Sequence, residues 1–340
     1  MVVNVGIINY NGEKTLPQVI DILLGQNHVN LAIKVYDNCS TDGSLQCLKK
    51  YDSQIEVEKM SKNLGPNPAR NKAIKDSIHD YTLIMDNDIY FKKDGISKLV
   101  QILEASPNCM ACSPLIAYNS EKDAIQYNGV KIHYIGGAII NTGKISELQD
   151  RNYFKSTCLG AGALLLRNCV VEEIGFFDED FFFGWEDGDF TFRITSAGYD
   201  CLAAPEVVAY HDAEKREISK MYFQIRNRWF FILKNYSFHT ILLIFPALLI
   251  YELFLGMMLI LKKSFFIYLK ANWSVLKNLA LLVKKHNTVK KSKRVKDREL
   301  LHSGELYATS VLGSNKIFFL LKSIVTTLFN TYWMFVKLAI

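Results

Sequence analysis

Acidic residues are scarce where basic ones are plentiful. Residues 238–340 hold four acids (Glu252, Asp297, Glu299, Glu305) against 15 Lys and Arg, while the rest of the 340-residue chain holds 30 acids against 25 basic residues. The basic character therefore belongs to the tail, and its lysines alternate with long apolar runs, which suits an anionic membrane surface better than nucleic acid. Seven cysteines, odd in number and scattered, exclude a disulfide framework in a chain this long. Cys109-Met-Ala-Cys112 supplies half a zinc site at most. No internal repeat or low-complexity segment occurs, and the length fits one catalytic unit plus an appendage. The amino terminus, Met1–Ile8, lacks a basic segment and reads as a strand, which predicts no signal peptide and a cytoplasmic domain.

Residues 2–100 alternate strand and helix signals. Val2–Asn9, Leu31–Tyr36, Ile55–Glu58 and Tyr81–Met85 read as strands. Thr15–Gln26 and Pro68–Ile78 read as helices. This pattern predicts an α/β fold whose parallel sheet carries helices on both faces and binds ligands at the carboxyl ends of its strands. Asn9-Tyr10-Asn11, Asp37-Asn38 and Asp86-Asn87-Asp88 fall at those ends. From about residue 109 short strands and glycines take over. They are followed by a helix at 187–197, a strand pair through Cys201–Tyr210 and a helix at about 215–235.

Asp86 and Asp88 end an apolar strand, a costly place for two carboxylates unless something offsets their desolvation. A divalent cation shared with a phosphate-bearing ligand would do so. A second acidic cluster, Trp185-Glu186-Asp187-Gly188-Asp189, follows an aromatic run whose low polarity raises a carboxyl pKa toward the working range of a base. Together the two clusters imply metal-assisted transfer from a nucleotide-bound group. Asp189 and Arg193, four apart on a helix, read as a structural ion pair.

Eight segments, in order, resemble family 2 glycosyltransferases: Asp37-Asn-Cys-Ser-Thr-Asp-Gly-Ser44, Asn63-Leu-Gly-Pro-Asn-Pro-Ala-Arg70-Asn71, Met85-Asp-Asn-Asp88, Gly160-Ala-Gly162, Phe176-Phe-Asp-Glu179, Glu186-Asp-Gly-Asp189-Phe-Thr-Phe-Arg193, Gly198-Tyr199 and His211. Gln224-Ile-Arg-Asn-Arg-Trp229 has one residue more than the Gln-x-x-Arg-Trp of processive synthases, so the chain looks more like the rhamnosyltransferase-like branch. The resemblance implies a GT-A nucleotide-sugar-binding domain over residues 1–237 that transfers sugar with inversion. It implies Mg²⁺ or Mn²⁺ on Asp88, with Asp86 nearer the ribose or in the outer shell and His211 completing the shell. It makes Asp187 the base, supported by Glu186. Asn9, Tyr10, Asp37, Asn63, Arg70, Asp86, Asn87, Gly160 and Gly162 would bind the nucleotide sugar. Asp37 would face a pyrimidine edge, Arg70 a phosphate or base edge, and the two glycines would either admit the donor sugar or pack a tight turn.

Residues 238–340 form the appendage. Phe238–Leu261 is long enough to span a bilayer, yet Pro246 and Glu252 lie inside it and residues 262–316 carry 13 basic against 3 acidic residues. These features favour an in-plane or re-entrant arrangement on the cytoplasmic face, with Ser264–Val283 as one interfacial helix and Ile317–Ile340 as a further contact. A buried helical interface in a homo-oligomer is the competing account. The expected partners are a nucleotide-diphosphate sugar, a lipid-linked glycan acceptor and the membrane, with no nucleic acid. Two rivals stand beside this reading: a polyprenyl-phosphate sugar transferase, and a non-catalytic membrane scaffold.

Overall fold

The computed structural model describes residues 1–140, 142–150, 152–212, 220–305 and 316–340, the last segment by backbone alone over 316–322. The first elements follow the apolar spacing: β1 (Val2–Asn9), α1 (Leu16–Leu24), β2 (Asn30–Asp37), α2 (Ser44–Leu48), β3 (Glu56–Lys59), α3 (Pro66–Lys75) and β4 (Tyr81–Asp86). α1 buries Leu16, Val19, Ile20 and Leu23, the single face that three- and four-residue spacing creates. β1 runs parallel to β2 and β4, with Asn9 opposite Asp37 and Ile8 opposite Asp86. Three polar strand ends thus share one edge of the sheet.

The chain turns at Asn87-Asp88 into β5 (Ile89–Phe91), α4 (Gly95–Ala105) and β6 (Cys109–Tyr118). Then come β7 (Ala124–Tyr127), β8 (Val130–His133), β9 (Gly137–Ile140), β10 (Gly143–Lys144), β11 (Phe154–Lys155), β12 (Ala163–Arg167), α5 (Val170–Ile174) and α6 (Glu186–Ser196). In place of the expected strand pair, β13 (Asp200–His211) is one long strand. It runs parallel to β6 and breaks register between Ala204 and Val208, where Pro205 offers no ladder donor. The main sheet runs β10-β7-β6-β12-β4-β1-β2-β3. Its parallel part is β4-β1-β2-β3, and β12 enters antiparallel between β4 and β6. Cys109 and Cys112 are free and buried in β6, where burial pushes both thiols up.

The remainder is helical: α7 (Met221–Asn235), α8 (Phe238–Leu261), α9 (Phe265–Lys277), α10 (Leu279–Ser292), α11 (Asp297–Leu300), the short strand β14 (Leu301–His302) and α12 (Lys316–Ala339). Residues 215–219 of the expected helix before α7 lie outside the described residues. The single helix expected over Ser264–Val283 is two, broken at Asn278. β14 pairs with β8, and Tyr134, Phe181, Phe230, Phe231, Phe329 and Trp333 share one buried cluster. The tail is therefore packed into the preceding half.

Candidate active site

Register brings the distant motifs together. β13 pairs antiparallel with β5, placing His211 opposite Ile89 and its Nε2 3.3 Å from Asp88 Oδ2. Gln126 accepts at 2.7 Å from the other ring nitrogen, Nδ1, so Nε2 is the atom left for a ligand. Burial draws the His211 pKa down, but Asp88 and Asp86 outweigh it and the balance is upward. Asp88 Oδ1 is buried without a hydrogen-bond partner. Asp86 turns elsewhere: its Oδ1 is 3.4 Å from Arg70 Nη2, and burial pushes its carboxyl up to about 6.

Arg70 joins the two acidic clusters. It is 4% exposed on α3, with Nη1 3.6 Å from Glu186 Oε1, and Asp86, Glu186 and Asp187 all raise its pKa against the opposing pull of burial. The amide side chains of the same helix hold the chain that leads to Glu186. Asn67 donates to the carbonyls of Asp178 and Phe181, and Asn71 to that of Phe177. α3 starts after Gly65, whose φ of 85° suits glycine, and a Cβ there would lie 2.5 Å from the Phe182 carbonyl oxygen.

Glu186 and Asp187 open α6, where the helix dipole favours negative charge. The residue before them, Trp185, sits at φ 72°, a conformation costing on the order of 1–3 kcal/mol for a bulky residue. Its ring packs on Phe231, 4.9 Å between centroids. Burial and then Asp187 push the Glu186 carboxyl up to about 7, and its Oε2 has no partner. The raised carboxyl in this motif is thus the buried Glu186. Asp187 is half-buried and accepts from the Gly188 N–H at 2.7 Å. Asp189 points away from the cleft, 3.1 Å from Arg193 and 2.8 Å from Lys234, confirming the structural pair.

The nucleotide side is a connected polar network. Asn9 Nδ2 donates to Asp37 Oδ1 at 2.7 Å, Asn87 donates to Asn9 Oδ1 at 2.6 Å, and the Ser40 N–H donates to Asp37 Oδ2 at 3.1 Å. Asp37 is fully buried, so a base edge would be a further partner on an engaged carboxylate. Tyr10 is 48% exposed at the mouth. Asn63 accepts from Asn38 and from the Gly65 N–H, which ties it to the turn before α3. Gly162 accepts from the Asp86 N–H, and the space above Gly160 and Gly162 is filled by Tyr127. Gln126 and Tyr127 lie outside every sequence motif, while Asn67 and Asn71 lie within one that gave them no role.

The sheet resembles that of GalNAc-T7 crystallised with UDP, GalNAc and Mn²⁺, with a TM-score of 0.55 at 13% identity over 70% of this chain and 48% of that one, a likeness of fold alone. The Bacillus subtilis teichuronic acid biosynthesis glycosyltransferase TuaG is 31% identical over 98 residues, 28% of this chain and 39% of TuaG. The Escherichia coli UDP-Glc:alpha-D-GlcNAc-diphosphoundecaprenol beta-1,3-glucosyltransferase WfaP is 26% identical over 178 residues, 51% of this chain and 64% of WfaP. The chain thus spans less than two thirds of either relative. The family model for glycosyl transferase family 2 matches residues 4–175, which include the Asn9, Asp37, Arg70, Asp86 and Asp88 positions, and the chain belongs to that family.

Proposed function

We propose that the protein is an inverting glycosyltransferase that moves a sugar from a nucleotide-diphosphate donor to a hydroxyl of a lipid-linked or cell-surface glycan. The observation that carries this reading is Arg70, whose guanidinium lies between Asp86 of the first acidic motif and Glu186 of the second. It draws a nucleotide end and an acceptor end into one cleft. Asp187, beside it and half-open, takes the proton of the acceptor hydroxyl; the oxygen bonds to the anomeric carbon, and the bond from that carbon to the diphosphate breaks. A positioned base supplies roughly 10²–10⁴-fold. Glu186, whose buried carboxyl favours its proton, supports Asp187 and holds Arg70.

Asp88 and His211 suit Mg²⁺ or Mn²⁺. Two donors on one octahedral cation at roughly 2.0–2.1 Å stand about 3 Å apart, close to their 3.3 Å separation. The unpartnered Asp88 Oδ1 marks the same place. Among the described residues no three His, Cys, Asp or Glu side chains form a metal cage. Held by Asp88 and His211, such an ion would supply positive charge to offset that of the diphosphate leaving group.

Residues 1–237 carry this chemistry, and residues 238–340 hold the protein on the cytoplasmic face of a membrane, where a lipid-linked acceptor resides. WfaP, named for a diphosphoundecaprenol acceptor, supports that acceptor class, and the additional residue in Gln224–Trp229 supports the rhamnosyltransferase-like branch. Metal-dependent turnover of a nucleotide-sugar panel, with NMR analysis of the product anomer, tests the reading. Retention of configuration, or transfer to polyprenyl phosphate itself, would replace it.

A further inference from the structure

β7 carries an irregularity at the site. One step along β6, from Ile116 to Ala117, is answered by two along β7, from Tyr127 to Ile125, which leaves Gln126 as the extra residue. Successive side chains of a regular strand leave opposite faces, whereas a bulge re-aims them. Here Gln126 reaches His211 and Tyr127 reaches the Gly160–Gly162 segment. Both side chains therefore end in one constellation.

The two glycines are shaped to Tyr127. A Cβ on Gly160 would lie 2.7 Å from its Cζ, and one on Gly162 would lie 2.9 Å from its hydroxyl and 3.6 Å from Asp86 Oδ2. Neither glycine has a positive φ, so the ring, not the backbone, is what excludes a side chain. Burial pushes the phenol's pKa well up, and the nearby carboxylates of Asp187, Asp86 and Asp88 push the same way while Arg70 opposes them. No described residue accepts from or donates to its hydroxyl. A hydroxyl left free against Gly162 and close to Asp86 is a polar group with a bond still to make.

Resting on the glycosyltransferase reading above, we propose that Tyr127 recognises the donor sugar: its hydroxyl hydrogen-bonds a ring hydroxyl of the hexose and so sets which nucleotide sugar is accepted. Gly160 and Gly162 are the clearance that lets the ring stand there. A site built to bond one hydroxyl discriminates against donors that lack it, because the phenol is then left unpaired.

Calorimetric titration of the full chain with UDP, dTDP, UDP-glucose, UDP-N-acetylglucosamine, UDP-galactose and dTDP-rhamnose tests this. Tyr127→Phe is expected to leave the free nucleotides within about twofold of wild type. It should weaken the preferred nucleotide sugar by about tenfold or more. Gly160→Ala should produce the same selective loss with Tyr127 in place and no added loss in a Tyr127→Ala background. Unchanged sugar affinity in Tyr127→Phe, or a parallel loss for nucleotide and nucleotide sugar, overturns the role of Tyr127 alone. A wild-type chain that binds none of the six overturns a uracil or thymine nucleotide donor, and the role of Tyr127 with it.

Discussion

Glu186 and Asp187 are adjacent in sequence and unlike in surroundings, and the difference divides their labour. Glu186 is buried against Arg70, while Asp187 reaches the open side of the cleft. Asp187→Asn keeps shape and hydrogen bonding but removes the proton acceptor. Transfer should fall by about 10²–10⁴-fold with nucleotide affinity nearly unchanged, as measured by turnover and titration of one preparation; full transfer in that variant would remove Asp187 from the role. Glu186 makes a stability prediction. Its folded carboxyl is pushed from the usual 4.5 up to about 7, so between those values the folded state keeps a proton that the unfolded chain has released. The favourable contribution is present below the lower value and is lost as pH rises through the window. Melting of wild type against Glu186→Gln should therefore show the wild type losing ground between about pH 4.5 and 7. A constant difference across that range would refute the assignment.

At the scale of elements, the parallel half was legible because its signals are local. The spacing of Leu16, Val19, Ile20 and Leu23 predicts α1 without reference to anything else. The polar strand ends Asn9, Asp37 and Asp86 follow from strand boundaries. What the sequence could not display depends on pairing across long separations. The sequence offers Arg70 a phosphate or base edge, and only the fold shows that it also lies against Asp86 and Glu186. Tyr127 is one of 17 tyrosines until the bulge aims it. The tail was hidden for the same reason. Lys234 of α7 lies 2.7 Å from Asp178 and 2.8 Å from Asp189, and Lys285 of α10 pairs with Asp178 and Asp180. Despite the upward push of burial, these lysines hold Asp178 well below the usual carboxylate range. α7 of the catalytic part and α10 of the tail thus together grip the loop that leads to Glu186. Lys234→Met takes one cation from each of two buried carboxylates, leaving Arg193 on Asp189 and Lys285 on Asp178, and should cost about 1.5–3 kcal/mol in denaturant unfolding. Lys285→Ala, more exposed, should cost clearly less. Equal costs would show that burial of the cation does not control the strength of this grip.

At the scale of the whole molecule, the apolar groups that remain exposed are ordered. Along α8, Leu242, Phe245, Leu249, Leu253, Met257 and Ile260 recur every three or four residues on an exposed face, while Ile244, Leu248, Leu255 and Leu259 pack inward. α8 is the one helix among the described residues long and apolar enough to cross a bilayer, yet a third of its most apolar window is buried in the protein. Glu252, the charge inside it, pairs with Arg228 and accepts from Tyr268 at 2.7 Å. α9 adds Phe266, Leu269, Trp273 and Leu276 at the same spacing, and α12 adds Ile324, Leu328, Phe335 and Leu338. On the membrane placement proposed above, these exposed apolar faces and the nearby Lys262, Lys263, Lys270 and Lys277 would meet the headgroup boundary of an anionic leaflet rather than span it. The full chain should co-sediment with vesicles containing phosphatidylglycerol, and Leu253→Glu or Trp273→Glu should cut that partition about tenfold or more without altering the melting temperature. Replacing Lys270 and Lys277 with Gln should weaken it less in high salt than in low, since each lysine contributes about 1 kcal/mol only within a Debye length of the surface. If instead a second copy covers this face, the chain will sediment as a dimer without lipid, the two Glu substitutions will release monomers, and the vesicles will not bind the protein.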